Sequence, residues 1–325
     1  MKALVYEGTA TLVLRDVPGP EPESGEELVQ IDAAGICGSD MHAYLGHDVR
    51  RPAPLILGHE AAGTVVRGAR SGKRVTINPL VTCRTCLACK AGRENICEYR
   101  EIISMPPREG AFAQFVTIPA SNLVVVPDHV SFGKAALAEP LAVGWHAVRL
   151  GLEALATNAD RRAIVLGGGA IGLAASLALK AQGLTDVTIV EPNEQRRAFL
   201  SRYDERAAAE AVDEAPIVVD AVGYAATRAK ASALVAPGGV VVHIGLGEDT
   251  GGLDIRRMTL QEITFIGTYT YSAQDFRNTC EAMFDGRLGP LDWFETRSLS
   301  DGAGAFDDLR HHRVAAPKIV LTPWS

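Results

Sequence analysis

Four cysteines, at 83, 86, 89 and 97, stand within fifteen residues at the spacing C-x2-C-x2-C-x7-C. Thiolates so spaced can close a tetrahedron around zinc. Sulfur then fills every corner and leaves none for a substrate, so the metal they imply is structural. The competing readings are a redox C-x-x-C and a zinc ribbon on nucleic acid. A ribbon brings a second C-x2-C pair at longer spacing, and Arg84, Lys90 and Arg93 are few charges for a phosphate footprint. Cys37 lies apart, in the turn-rich stretch Gly35-Ile-Cys-Gly-Ser-Asp40. Gly58-His59-Glu60 and Glu139-Pro140 add an imidazole and two carboxylates. One thiolate, one imidazole and one carboxylate can hold zinc and leave a position open to water or substrate. Taken singly, Cys37 reads as an inert buried thiol and His59 as a hydrogen-bonded core histidine.

A second cluster, Gly167-Gly168-Gly169-Ala170-Ile171-Gly172, forms a G-x-G-x-x-G. The string alone is weak, but here it follows an apolar strand and opens a helix, and the acidic Glu191 closes the next strand. Gly167 permits the tight turn, Gly169 lets the backbone approach a pyrophosphate, and Gly172 lets the helix pack on the sheet. The pyrophosphate would sit at the helix N-terminus, where free N–H groups favour an anion. Glu191 would accept from the adenosine ribose hydroxyls and repel a 2′-phosphate, which points to NAD. Arg196 and Arg197 follow closely and could instead meet that phosphate. A tight strand–helix turn without ligand is the bland alternative.

These residues need elements to position them, and 325 residues suit two domains. Residues 1–141 are rich in β-branched residues and broken by Gly and Pro. Runs at 28–31, 63–66, 74–77 and 123–126 read as strands of a β-rich domain, to which 272–325 returns with a strand-like 318–321. Residues 142–271 change period to strand, helix, strand. Strands at 163–166, 186–191, 217–219, 240–244 and 263–266 and a helix at 170–182 imply a parallel, doubly wound sheet. The apolar share of 47% excludes disorder, and a net charge of −7 excludes nucleic-acid binding without a local basic patch. The uncharged run 163–179 is glycine-broken and too short to span a membrane. The N-terminal MKALVYEGTA carries no secretory h-region, so a reducing cytoplasm is expected.

Gly35-Ile-Cys-Gly-Ser-Asp-Met-His42, Gly58-His-Glu60, the 83–97 lobe, Glu139-Pro-Leu-Ala-Val143 and the glycine fingerprint occur in one order across nearly the whole chain. That order resembles the zinc-dependent medium-chain dehydrogenases, in the branch holding sorbitol, galactitol-phosphate, idonate and threonine dehydrogenases. The resemblance implies a GroES-like β-rich catalytic domain, a Rossmann cofactor domain, two zinc ions per subunit and NAD. It implies Cys37, His59 and Glu60 as catalytic-zinc ligands, with Glu139 a ligand or a partner of zinc-bound water. It assigns Ser39 and His42 to the path of the substrate's proton, and Asp40 to orienting His59, although capping a turn is open to Ser39 and Asp40 as well. Val222, Gly245, Leu246, Thr268, Tyr269 and Thr270 join Gly167, Gly169, Ala170, Ile171, Gly172, Glu191 and Arg196 on the cofactor. Tyr44, Arg51 and Tyr271, with His47 nearby, are expected around a small alcohol substrate. A homodimer or homotetramer is implied, built by edge strands of two cofactor domains.

Three departures shape the reading. Thr270 stands where the polyol enzymes carry a sugar-gripping arginine, so sorbitol is disfavoured; Arg50 and Arg51 could supply an anion site from the other side. Only 25 residues lie between Glu191 and Ile217, too few for a further strand and full helix, so 207–211 should form one short strand or helical turn. The 68–72 loop is also short. The leading reading is a zinc- and NAD-dependent dehydrogenase of a polyol or other secondary alcohol, with aldonates and threonine as variants. A zinc-free quinone or enoyl reductase of the same fold would lack Cys37, His59 and the four-cysteine lobe. A silent NAD-binding sensor would have no need of Ser39 and His42.

Overall fold

The computed structural model describes residues 1–156, 160–203, 206–211 and 213–325. They fall into two units, one of Met1–Glu139, Phe276–Asp285 and Pro290–Ser325, the other of Pro140–Asp275 and Gly286–Gly289. The expected division ran at 141/142 and 271/272.

The first unit is built on Glu26–Gly35, whose burial alternates along its first seven residues. That is the mark of a strand with one face on the core. It pairs antiparallel with Glu60–Arg67, with Phe115–Pro119 near its start and with Lys318–Thr322 at its end. The sheet continues through Arg74–Ile77 to Leu123–Val125 on one side and ends in Phe294–Ser298 on the other. Register matters at one place: Gly35 lies opposite Glu60 on one neighbour and Val320 on the other. The C-terminal strand is thereby laid beside the segment that leads to Cys37. Leu4, Ile31, Leu57, Ile77, Phe112 and Phe306 are nearly sealed from water and form the core beneath this sheet.

The second unit is a wholly parallel six-stranded sheet in the order Ala207–Ala208, Asp186–Val190, Arg162–Leu166, Ala215–Asp220, Val235–His243, Thr264–Gly267. Every residue of Ala215–Asp220 is buried, as expected of a strand covered on both faces. The shortage after Glu191 falls where the residue count puts it. The outermost strand has two residues, and among the described residues no helix joins it to Ala215. Six strands survive because a two-residue strand still reaches its neighbour through the pairs Ile189–Ala207 and Val190–Ala208. Among the described residues no helix is long and apolar enough to cross a membrane.

The second unit also holds a buried ionic knot. The Asp275 carboxylate receives hydrogen bonds from Arg149 Nε at 2.7 Å and Ser272 Oγ at 2.7 Å, and His146 Nδ1 lies 2.7 Å away. Burial alone would raise this carboxyl, but His146, Arg149 and Ser272 outweigh it and hold it well below the usual carboxylate range. A carboxyl depressed in the folded state stabilises fully above its unfolded value of about 3.9, and that stability is lost as pH falls through the folded value. Asp275→Asn should therefore destabilise by about 3 kcal/mol near neutrality. The calorimetric Tm gap to the parent should stay constant down to about pH 5 and close below about pH 4; a gap unchanged in acid would contradict this.

Candidate functional site

The strand Glu26–Gly35 runs out at Ile36, and Cys37 caps the helix Gly38–Tyr44. Asp40 closes that cap: its Oδ2 accepts from the Cys37 N–H at 3.0 Å. Its Oδ1 accepts from the Gly58 N–H at 3.2 Å and lies 3.4 Å from His59 Nδ1. Asp40 is fully buried, and one carboxylate thus joins the helix start to the His59-Glu60 strand. Burial opposes its ionisation, but the His59 ring, Arg51 and the Cys37 N–H prevail and hold it below the ordinary value. Burial likewise opposes charge on His59, yet Asp40 and Cys37 push that ring well up. Asp40 therefore faces His59 as the resemblance implied, and it caps the turn as well.

The ligand atoms of Cys37, His59 and Glu60 come within 4.8 Å of one another. The fit to a cation is carried by Glu60. Its Oε2 is buried and has no hydrogen-bond partner among the described residues, a state that is costly unless a positive group completes it. Three donors of N, S and O type leave a fourth corner open, which suits a catalytic zinc. Glu139, 6% exposed in the first turn of Ala138–Ala154, lies outside this group of three.

Around the ring of His59, Ser39 Oγ lies 3.4 Å from Nε2 and Ser104 Oγ 3.3 Å from Nδ1. Ser104 gave no signal in the sequence; it is fully buried and holds φ at 72°, an unusual backbone for serine. His42 is exposed one helical turn beyond Ser39 and meets His47 edge-on.

Two expected substrate contacts have other partners here. Arg51 is 2% exposed, and its guanidinium donates to the carbonyls of Ser104 and Ser39, both at 3.0 Å, and pairs with Asp48. It braces the two turns that bear on His59, because a buried guanidinium must find acceptors for its N–H groups. Tyr44 packs on Phe306 within the core, their ring centroids 5.2 Å apart. Tyr271, in the other unit, is 1% exposed. Arg50 grips Asp48 through two nitrogens, at 2.8 and 2.9 Å.

The four-cysteine lobe is assembled without disulfides. All four sulfurs lie within 4.8 Å of one another, with Cys83 to Cys89 at 3.9 Å and Cys83 to Cys97 at 3.5 Å. A tetrahedron with zinc–sulfur bonds of about 2.3 Å has edges of about 3.8 Å, so the cradle fits zinc. N–H groups of Thr85 and Cys86 bring the Cys83 thiol down to about 6. Burial and the neighbouring thiols push Cys89 up to about 12, a barrier that a dication would remove.

In the second unit, Gly167 has φ +95°, and a Cβ on Gly172 would lie 1.8 Å from the Gly167 carbonyl oxygen. The turn therefore requires glycine at both ends. Gly169 caps the helix Ala170–Ala181 without any side-chain acceptor, so Ala170 and Ile171 stand in a first turn open to an anion. Glu191 Oε2 accepts from the Gly168 N–H at 2.9 Å, and Oε1 accepts from Asn193 at 2.8 Å. The two arginines that could have met a phosphate are engaged. Arg196 pairs with Glu191 at 3.3 Å, and Arg197 donates to the carbonyls of Glu191 and Pro192. Val222, Gly245, Leu246, Thr268, Tyr269 and Thr270 all follow the carboxyl ends of parallel strands, where such sheets bind ligands. Thr270 has φ +46° and a buried Oγ1 without a partner among the described residues.

A reactive three-donor cluster, a closed four-thiol cradle and a dinucleotide turn define a zinc-binding oxidoreductase of alcohols. Two family models agree: an alcohol dehydrogenase GroES-like domain over residues 23–128 and a zinc-binding dehydrogenase over residues 170–285. A probable D-xylulose reductase A of Neosartorya fischeri is 31% identical over 89% of this chain and 88% of its own. L-galactonate-5-dehydrogenase of Escherichia coli K12 is 30% identical over 89% and 88%. The solved acetophenone reductase of Geotrichum candidum, in complex with NAD, superposes with a TM-score of 0.88 at 26% identity, over 99% and 97% of the two chains. The chain belongs to the zinc-dependent medium-chain dehydrogenases, on the branch of the polyol and sugar dehydrogenases. Its β-rich GroES-like unit and Rossmann unit are that family's fold.

The two metal positions should separate experimentally. Cys89→Ser should halve the zinc content from two ions per chain to one and lower Tm by about 5–10 °C, the equivalent of a few kcal/mol. His59→Ala should lose the other ion and all turnover while the four-cysteine ion stays bound, and should lower Tm as well, because the buried Asp40 carboxylate loses one of its partners. Elemental analysis that finds active enzyme without zinc would refute both assignments.

Proposed function

We propose that this protein oxidises an uncharged polyol, or a closely related polar secondary alcohol, to the ketone with NAD. The observation that carries the choice of substrate is Arg51, whose guanidinium is buried on the carbonyls of Ser39 and Ser104. With Arg50 clasping Asp48 and Thr270 in the arginine's place, the positions weighed as carboxylate or phosphate anchors offer no free guanidinium. A sugar acid is the second reading, favoured by the galactonate dehydrogenase among the relatives.

Zinc held by Cys37, His59 and Glu60 would act as the Lewis acid that makes the substrate hydroxyl acidic, and NAD would accept the hydride. The protein's own residues do the rest. Asp40 and Ser104 hold Nδ1 of His59, which leaves Nε2 for the metal. Ser39, half-buried and 3.4 Å from Nε2, is placed to take the hydroxyl proton. His42, three residues on along the same helix and exposed, is placed to pass it to water. Glu191, held by two backbone N–H groups, offers its oxygens to ribose hydroxyls and repels a 2′-phosphate.

The same reading proposes a homodimer paired along the Thr264–Gly267 edge strand. That strand pairs with only one neighbour among the described residues, and Phe265 is 37% exposed on it. A reducing cytoplasm would suit six unbridged thiols.

Two kinetic tests follow. Arg51→Ala should reduce kcat/KM for polyols and aldonates by the same factor, about 10-fold or more, since it disturbs His59 rather than a substrate contact. A rise in KM confined to aldonates would give the sugar-acid reading. NAD should be preferred over NADP by about 100-fold in kcat/KM, and Glu191→Ser should remove most of that preference; parent enzyme that prefers NADP would show that Arg196 governs the pocket.

A further inference from the structure

Lys318 is 3% exposed and Glu60 fully buried, and they meet at 2.6 Å although 258 residues separate them in the chain. The register explains how. Gly35 is flanked by Glu60 on one neighbouring strand and by Val320 on the other. Lys318 lies two residues before Val320, on the same face of its strand, and reaches past the end of the Gly35 strand. Its ammonium donates both to Glu60 Oε1 and, at 2.9 Å, to the carbonyl of Ile36, the residue before Cys37. The pair is therefore anchored to the backbone that carries the thiol.

Its consequence lies in the other oxygen. Glu60 Oε2 is buried and unpartnered among the described residues, and it packs over the bare Cα of Gly35, where a Cβ would lie 2.2 Å from it. Lysine on one oxygen and glycine beneath the other leave this carboxylate one orientation. We propose that Lys318 is a positioning residue that presents Glu60 to the catalytic metal through Oε2 alone. The proposal rests on Cys37, His59 and Glu60 being that metal's ligands. Without the ammonium, Oε1 would be left buried and unpaired. A carboxylate oxygen left buried without a donor turns to find one, and the single orientation is lost.

The test uses purified holoenzyme carrying zinc in both sites and a small-molecule chelator, pyridine-2,6-dicarboxylate. Zinc release is followed by a colorimetric indicator, and the four-cysteine site serves as internal standard. Lys318→Met should release one zinc at least about tenfold faster than the parent, in line with the loss of a partner behind a ligand, while the second zinc leaves at the parental rate. In cobalt-substituted protein the same variant should shift the visible absorption bands of the catalytic site. Lys318→Gln keeps an N–H donor without the charge and should accelerate release by a smaller factor, which keeps the test open should the methionine variant not fold. Parental release rates and an unchanged cobalt spectrum in either variant would overturn the role of Lys318 and leave the ligand assignment standing. A parent that holds only the four-cysteine zinc would overturn the ligand assignment and this proposal together.

Discussion

A single buried carboxylate holds the reactive end of the first unit together. Asp40 has no exposure, and a charge so placed must be met on every side or it destabilises the fold. The N–H of Cys37, the N–H of Gly58 and the ring of His59 meet it. Because those groups belong to two separate segments, satisfying Asp40 fixes how the Cys37 turn lies against the His59-Glu60 strand. The three-donor cluster follows from that juxtaposition.

Around this centre the structure repeats one device, a buried cation on a backbone carbonyl. Arg51 ties the Ser39 turn to the Ser104 turn, so that both serine hydroxyls approach the same imidazole. Lys318 ties the C-terminal strand to Ile36 and to Glu60. Each cation neutralises local negative charge and immobilises a loop whose geometry the metal would otherwise have to impose. Both cations thereby hold the donor set from outside it, the support that keeps a metal site precise.

The second unit reaches order differently. The central strands of its sheet are apolar and largely buried, and ionic bracing is local: the Asp275 knot, and the buried Arg228, whose guanidinium donates to the carbonyls of Gly223, Glu248, Thr250 and Gly251. The residues expected on the cofactor gather where strands end and backbone N–H groups have no sheet partner. Glu191 shows the economy of the arrangement: one carboxylate accepts from Gly168 in the dinucleotide turn, accepts from Asn193 and engages Arg196. The residue that would discriminate between cofactors also holds the glycine turn in shape.

Local chemistry was legible in the sequence. Four cysteines close in the chain can make a tetrahedral cradle in few other ways, and a glycine turn between strand and helix needs only neighbouring residues to form. The residue count after Glu191 foretold a shortened crossover for the same reason. What could not be read were contacts between distant segments. A lysine that opens an apolar strand reads as a solubilising charge, yet Lys318 is nearly sealed and faces Glu60. Arg51 reads as an anion anchor on an exposed loop, yet three acceptors enclose it. Tyr44 offers a hydroxyl in the sequence, and in the fold its ring lies on Phe306. Ser104 shows nothing at all until His59 is placed beside it. Side-chain chemistry is a property of the residue, whereas its partner depends on strand register and on which groups burial leaves unsatisfied, and those only the tertiary structure decides.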